Sequence, residues 1–323
     1  MPLFFESLVL HVGDIELGKC LLSDEPLDPK WIESPAFTGR ALARYTRFSD
    51  SYSERVQQIF KDIVTKLPND WQQVPMVVLL PAFSTDHVHS SSHVFSHYCD
   101  VLPALSEHDN LYLYPYGRAA FLLALKRIEA LLYKGTFTSV LVIAIDANSR
   151  FCCKQAEVDF PKKAFNDVSV VACDSAAIVR VTQASSGLVT HWQSYAAQAE
   201  ANATGSAVSN IFHQYIQQCG LPIQAMQLPT NNSIPMTNEW VQGMQILAEK
   251  LSINLQCFFN GIRIGDVGCT SGLLNVLHTQ NMYQQKLVSI TEGVFHLDIA
   301  DGLYRSAAMF GWYEKQSDDA LWG

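Results

Sequence analysis

Basic residues are scarce in this sequence: 22 Lys and Arg stand against 31 Asp and Glu, for a formal net charge of −9. A broad phosphate-binding face needs clustered Lys and Arg, so no nucleic-acid partner is expected, and attachment to an anionic membrane surface is disfavoured. Long apolar runs are missing as well. None reaches the roughly 18 residues that a helix needs to cross a bilayer, so no membrane span is expected. The segment Met1-Pro2-Leu3-Phe4-Phe5-Glu6 has no basic region and meets an acid at once, which argues against a signal peptide. The eight Cys are scattered except for the neighbours Cys152-Cys153, with no CxxC and no zinc-finger spacing. That pattern reads as reduced, mostly buried thiols in a cytoplasmic protein. The acceptor pattern Asn202-Ala203-Thr204 therefore has no secretion signal to support its use.

What is present is apolar and short-ranged. With 48% hydrophobic residues among 323, the chain can bury a large core. Strand-like runs stand at Met76–Leu80, Val140–Ile145, Val168–Val171, Ala176–Val181 and Leu287–Ile290. Their continuous apolarity suggests strands covered on both faces. Between them lie helical patterns. Ser53–Lys66 carries one apolar stripe, while Ala119–Leu132 is apolar nearly all round and so reads as buried.

The order then repeats. Helix Ser206–Gln218 leads to the strand-like Ile223–Leu228, a helix is expected at Glu239–Lys250, and helix Cys269–Gln280 leads to Leu287–Ile290. Met76 to Ile223 and Leu141 to Val288 are both shifts of 147 positions. A common shift across two elements predicts a duplicated α/β unit, 1–183 and 184–323, packed as one rigid five-layer αβαβα sandwich. An ordinary doubly wound domain with extra strands is the alternative.

Several motifs in this order resemble the ketoacyl synthase and thiolase superfamily, in its shorter, synthase-III-like branch. Gly117-Arg118-Ala119-Ala120, with the apolar helix, Lys134-Gly135 and the strand Val140–Asp146 that follow, is similar to the nucleophile helix. Ala172–Val179 resembles an Asp-Gly-Ala-Gly-Ala segment without its glycines. Gln227–Asn232 resembles the Val-Pro-His-Gln-Ala-Asn loop, and Gly265–Gly272 the Gly-His or Gly-Asn loop. The resemblance implies the thiolase fold over nearly the whole chain. It also implies a chemistry of a Cys thiolate at a helix N-terminus facing two neutral donors.

Those positions hold other residues here. The nucleophile position falls on Arg118, which stays protonated and is no nucleophile. The first donor falls on Thr230, or on Pro229 under a one-residue shift, and the second on Asp266. No catalytic residue is expected, and no cofactor. Arg118 and Asp266 are expected to occupy matching places in the two repeats and to form an ion pair. An anionic ligand held by Arg118 is the alternative. Arg118, Asn231, Asp266 and Cys269 are the candidate ligand-binding residues. The carboxylate beside Cys269 is expected to raise its thiol pKa, against a nucleophilic role.

His89, His93 and His97 are spaced i, i+4, i+8, with Ser90-Ser91-Ser92 suited to start a helix. They are the candidates for chelating a metal, but the reading taken is a polar or interface-facing stripe without one. The strand-like Tyr112–Tyr116 matches the strand through which thiolase-fold dimers pair. The functional expectation is a non-catalytic thiolase-like protein acting as a binding, scaffold or accessory partner. It would be a homodimer, or a heterodimer with an active synthase, and would have a possible acyl carrier protein or CoA thioester as ligand. A bacterial secretion or biosynthetic cluster is one context. The alternative is a 3-oxoacyl synthase or other acyltransferase with altered chemistry.

Overall fold

The computed structural model describes residues 1–13, 15–16, 30–33, 40–43, 51–82, 90–133, 135–147, 170–171, 173–198, 205–289 and 293–315. The strands are β1 (Leu3–Val12), β2 (Ile15–Glu16), β3 (Lys30–Glu33), β4 (Arg40–Ala43), β5 (Met76–Leu79), β6 (Leu111–Tyr114), β7 (Ser139–Asp146) and β8 (Ser175–Gln183), then β9 (Ser186–Ala197), β10 (Ile223–Gln227), β11 (Leu251–Phe258), β12 (Gly293–Ile299) and β13 (Tyr304–Glu314). The α-helices are α1 (Tyr52–Val64), α2 (Ser91–Val101), α3 (Ala120–Tyr133), α4 (Ser206–Gln218), α5 (Ile234–Val241), α6 (Asn260–Ile264) and α7 (Ser271–Gln284).

Strand order shows the duplication. One array runs β6-β5-β7-β8-β1 and the other β11-β10-β12-β13-β9. In each array the first three strands are parallel and the last two pairings antiparallel. The arrays join where Leu3 of β1 pairs with Leu188 of β9.

Alternation within the strands explains the layers. Val77, Leu79, Val140, Val142 and Ala144 point into a central core with α3 and α7. Their neighbours Met76, Val78, Leu141, Ile143 and Ile145 point the other way, onto α1 and α2. The second array repeats this, with Ala225 and Val294 facing the centre and Ile223, Met226, Phe295 and Leu297 facing α4. Strands covered on both faces must be apolar at every position, which is why they read as continuous runs. The result is a five-layer αβαβα sandwich. Its centre is tight: Phe121 of α3 is fully buried, and cutting such a side chain to Ala costs about 3–5 kcal/mol.

Some sequence expectations are corrected. The last parallel strand is β12, not Leu287–Ile290, and Leu287 is 58% exposed. Pairing sets Met76 opposite Leu141 and Ile223 opposite Gly293. The common 147-residue shift therefore fails, because the connection from α7 to its strand is longer than that from α3. Val170 and Val171 are buried but lie in no strand, and 168–169 fall outside the described residues. The helix expected over Glu239–Lys250 divides at Gln242-Gly243 into α5 and a tighter 3-10 stretch, Met244–Lys250. Glycine is a poor helix former, so the division falls there. Cys152, Cys153, Asn202 and His89 lie outside the described residues.

Candidate functional site

Two turns meet at the centre of the molecule, one from each array. After β6 the chain enters a 3-10 turn, Gly117–Ala119, that feeds α3; before α7 it makes the matching turn Gly268–Thr270. Each opens on a glycine of positive φ, +55° at Gly117 and +53° at Gly268. This conformation strains any residue with a Cβ. The correspondence sets Arg118 against Cys269, so the expected match of Arg118 with Asp266 is corrected by three residues.

The second turn is braced from below. Cys173 Sγ donates to the Ile264 carbonyl at 3.1 Å, and Ser175 Oγ reaches Val267 O and Thr270 Oγ1, both at 2.9 Å. Asp266 N–H donates to Val171 O at 2.8 Å. Asp174, beside these residues, forms a buried ion pair with Arg55 of α1. The segment Cys173–Ser175 therefore ties the outer helix layer to the site.

The structure brings Arg118 and Asp266 together. Arg118 Nη2 lies 2.6 Å from both Asp266 oxygens and Nε lies 3.2 Å from Oδ1. Nη1 stands 2.5 Å from Asp301 Oδ1, a charge contact in which the N–H directions do not align as in a hydrogen bond. Asp266 also accepts from Asn231 Nδ2 at 3.0 Å and from Gly268 N–H at 3.4 Å. Burial works against the Asp266 carboxylate, but the Arg118 charge and these donors outweigh it and hold the acid below its usual range. Burial likewise opposes the Arg118 charge, and Asp266 and Asp301 outweigh it. The guanidinium is thus engaged on both of its edges.

The other positions are occupied locally. Thr230 is buried and its Oγ1 accepts from Asn232 N–H at 3.4 Å, while Pro229 O accepts from Trp240 Nε1 at 3.0 Å. Cys269 is fully buried, with Sγ 3.3 Å from Ile145 O and 3.5 Å from Leu79 O. Burial first, and then the Asp146 carboxylate, push its thiol pKa well up. The acid in contact with Cys269 is Asp146, from the end of β7, rather than its sequence neighbour Asp266; Asp146 Oδ2 accepts from Cys269 N–H at 2.7 Å.

Three acids of this cluster were not singled out in the sequence. Asp146 ends β7 and Asp298 lies near the end of β12, at corresponding places in the two arrays. Burial pushes Asp146 up to about 7 and Asp298 to about 8. The third is Asp301, which is 61% exposed at its side chain. The signal available was an acid closing an apolar strand in each repeat.

The space left is small. A cavity of about 30 Å³ lies between Arg118, Thr230, Asn231, Asp266, Asn275 and Asp298, room enough to admit water. Outside it, a depression of about 390 Å³ opens over Ile234, Trp240, Phe259 and Ile262. His93 and His97 stand elsewhere, on α2 in an outer layer.

No family model matches the chain, and no curated protein matches it. Solved structures do. An OleA variant from Xanthomonas campestris is matched with TM-score 0.53 and 14% identity, over 97% of this chain and 99% of that one. A 3-oxoacyl-[acyl-carrier-protein] synthase III from Aquifex aeolicus VF5 is matched with TM-score 0.51 and 12% identity, over 95% of this chain and 100% of that one. The ishigamide ketosynthase/chain length factor is matched with TM-score 0.57 and 13% identity, over 87% and 90%. The chain has the thiolase-like fold of these condensing enzymes.

Proposed function

We propose that this thiolase-like chain is a non-catalytic relative of the ketoacyl synthases that works by binding, as a scaffold or accessory partner. The observation that carries this reading is the engagement of Arg118 by Asp266 and Asp301 where the nucleophile would stand. A cationic side chain held by two carboxylates does not attack a thioester, and it is not the pair of neutral donors that an enolate would meet. The cavity beside it is small, about 30 Å³. Cys269, at the matching place in the second turn, is buried and held protonated, so it does not substitute. The Arg118 charge is already met by two carboxylates, which weighs against an anionic ligand there.

The partner in this reading is a second thiolase-fold chain, either another copy or an active synthase, and the compartment is the cytoplasm. The match to a ketosynthase/chain length factor supports such pairing in this fold. Among the described residues, no helix is long and apolar enough to cross a membrane.

The test is to incubate the purified protein with acyl and malonyl thioesters of CoA and acyl carrier protein. Intact mass spectrometry then reads covalent adducts, and CoA release reads turnover. No adduct and no turnover are expected. A stoichiometric acyl adduct on any Cys would overturn the proposal in favour of an acyltransferase with a relocated nucleophile.

A further inference from the structure

Sequence spacing alone left the histidines of the Ser90 region as a polar stripe; the folded geometry carries a more specific reading. Ser90 Oγ caps α2 by accepting from His93 N–H at 3.2 Å, which starts the helix there. His93 and His97 then fall one turn apart on a single face. His93 is exposed and His97 partly so. Their Nε2 atoms lie 3.1 Å apart, with ring planes at 79°.

That separation has a chemical meaning. Two imidazole nitrogens bound to one metal at about 2.0–2.1 Å stand about 3.1 Å apart when the angle between them is about 98°. This lies between the square-planar and tetrahedral angles, so the helix holds the two nitrogens at a chelating distance, and a small turn of the rings would aim both at one ion. The other side of His97 is already held. Nδ1 lies 3.3 Å from Asp100 Oδ2 and 3.0 Å from Gln57 Nε2 of α1, and Gln57 Nε2 is itself 3.3 Å from Asp100 Oδ2. Without metal, one Nε2 carries a proton and donates it to the other. With metal, the His97 proton sits on Nδ1 and is donated to Asp100, and the Gln57 NH2 turns from Nδ1 to donate to Asp100 Oδ2 alone, which fixes the ring and makes Nε2 a better ligand.

We propose that His93 and His97 form a surface chelate for a divalent transition-metal ion, Cu²⁺, Ni²⁺ or Zn²⁺, with Asp100 and Gln57 positioning His97. Imidazole suits these ions, whereas Mg²⁺ and Ca²⁺ take oxygen ligands. Among the described residues no group of three or more His, Cys, Asp or Glu converges as a metal site. This inference is independent of the reading of the Arg118 region.

The experiment uses the full chain and its variants His93→Ala, His97→Ala and Asp100→Asn, with circular dichroism to check that each is folded. Cu²⁺, Ni²⁺ and Zn²⁺ are titrated by calorimetry, and Cu²⁺ is read by electron paramagnetic resonance for nitrogen coordination. One ion per chain is expected, with Cu²⁺ tightest. Each His variant should bind at least tenfold more weakly, and Asp100→Asn about tenfold or more. Absence of binding by the wild type would overturn the site, as would wild-type affinity in either His variant. Unchanged affinity in Asp100→Asn would overturn the positioning role.

Discussion

Replacing Arg118 by Met tests the plugged site directly. Methionine keeps much of the length and removes the charge. Asp266 would then retain only Asn231 Nδ2 at 3.0 Å and Gly268 N–H at 3.4 Å. Breaking a buried pair from one side leaves an uncompensated charge, and the expected loss is about 3–5 kcal/mol at pH 7.5. The sign with pH follows from the two forms of Asp266. In the wild type its folded pKa is depressed, so the pair contributes stability above the unfolded value near 4, and this is lost as pH falls through the folded value. In the variant, burial is opposed only by these two donors and raises the pKa. The penalty is then present above that raised value and fades below it. The gap between wild type and variant should therefore narrow on going from pH 7.5 to pH 5. Equilibrium urea unfolding at both pH values measures it, and Asp266→Asn with the double variant completes the cycle. A loss under about 1 kcal/mol, as for exposed pairs, or a gap that does not change with pH, would refute the argument that this pair closes the site.

Asp146 and Asp298, raised to about 7 and about 8, predict a fall in stability with rising pH. A raised carboxyl keeps in the folded state a proton that the unfolded chain releases near pH 4, so the loss accrues between that value and pH 7–8. Asp298→Asn should flatten this fall, raising the urea midpoint at pH 8.5 relative to pH 5; an unchanged profile would contradict the burial of its charge. At Gly268, a Cβ would lie 1.9 Å from Asp146 Oδ2, on a backbone of φ +53°. Gly268→Ala should cost more than about 3 kcal/mol. The control Gly135→Ala, at φ +65° with open space around it, should cost only about 1 kcal/mol. Equal melting temperatures for the two variants would show that contact with Asp146 does not constrain the turn.

Much of the fold was legible because burial on both faces leaves a local mark. Met76–Leu79 and Ser139–Asp146 read as strands since nearly every residue faces one of two cores. Ser90-Ser91-Ser92 read as a helix start because a capping hydroxyl acts over three residues, whereas the cap Ser51 lay two residues before the helix expected from Ser53. The misses have equally physical causes. Leu287-Val288 looked like a strand because an apolar pair has no period of its own, and the pairing partner of Ile223 proved to be Gly293. Asp146 and Asp298 passed unnoticed because a single acid at the end of an apolar run carries no sign of its burial.

Order and composition along the chain determined the alternation of strands and helices and the doubling of the unit. These are encoded by neighbours within a turn or a strand. Tertiary structure alone decided that Arg118 corresponds to Cys269, that Asp301 completes the engagement of the guanidinium, and that His93 and His97 converge at 3.1 Å. Apolar periodicity is a local property. Protonation, ion pairing and chelating distance depend on separations set by packing, for the Arg118–Asp266 pair across 148 positions of sequence, and on how much water that packing leaves behind.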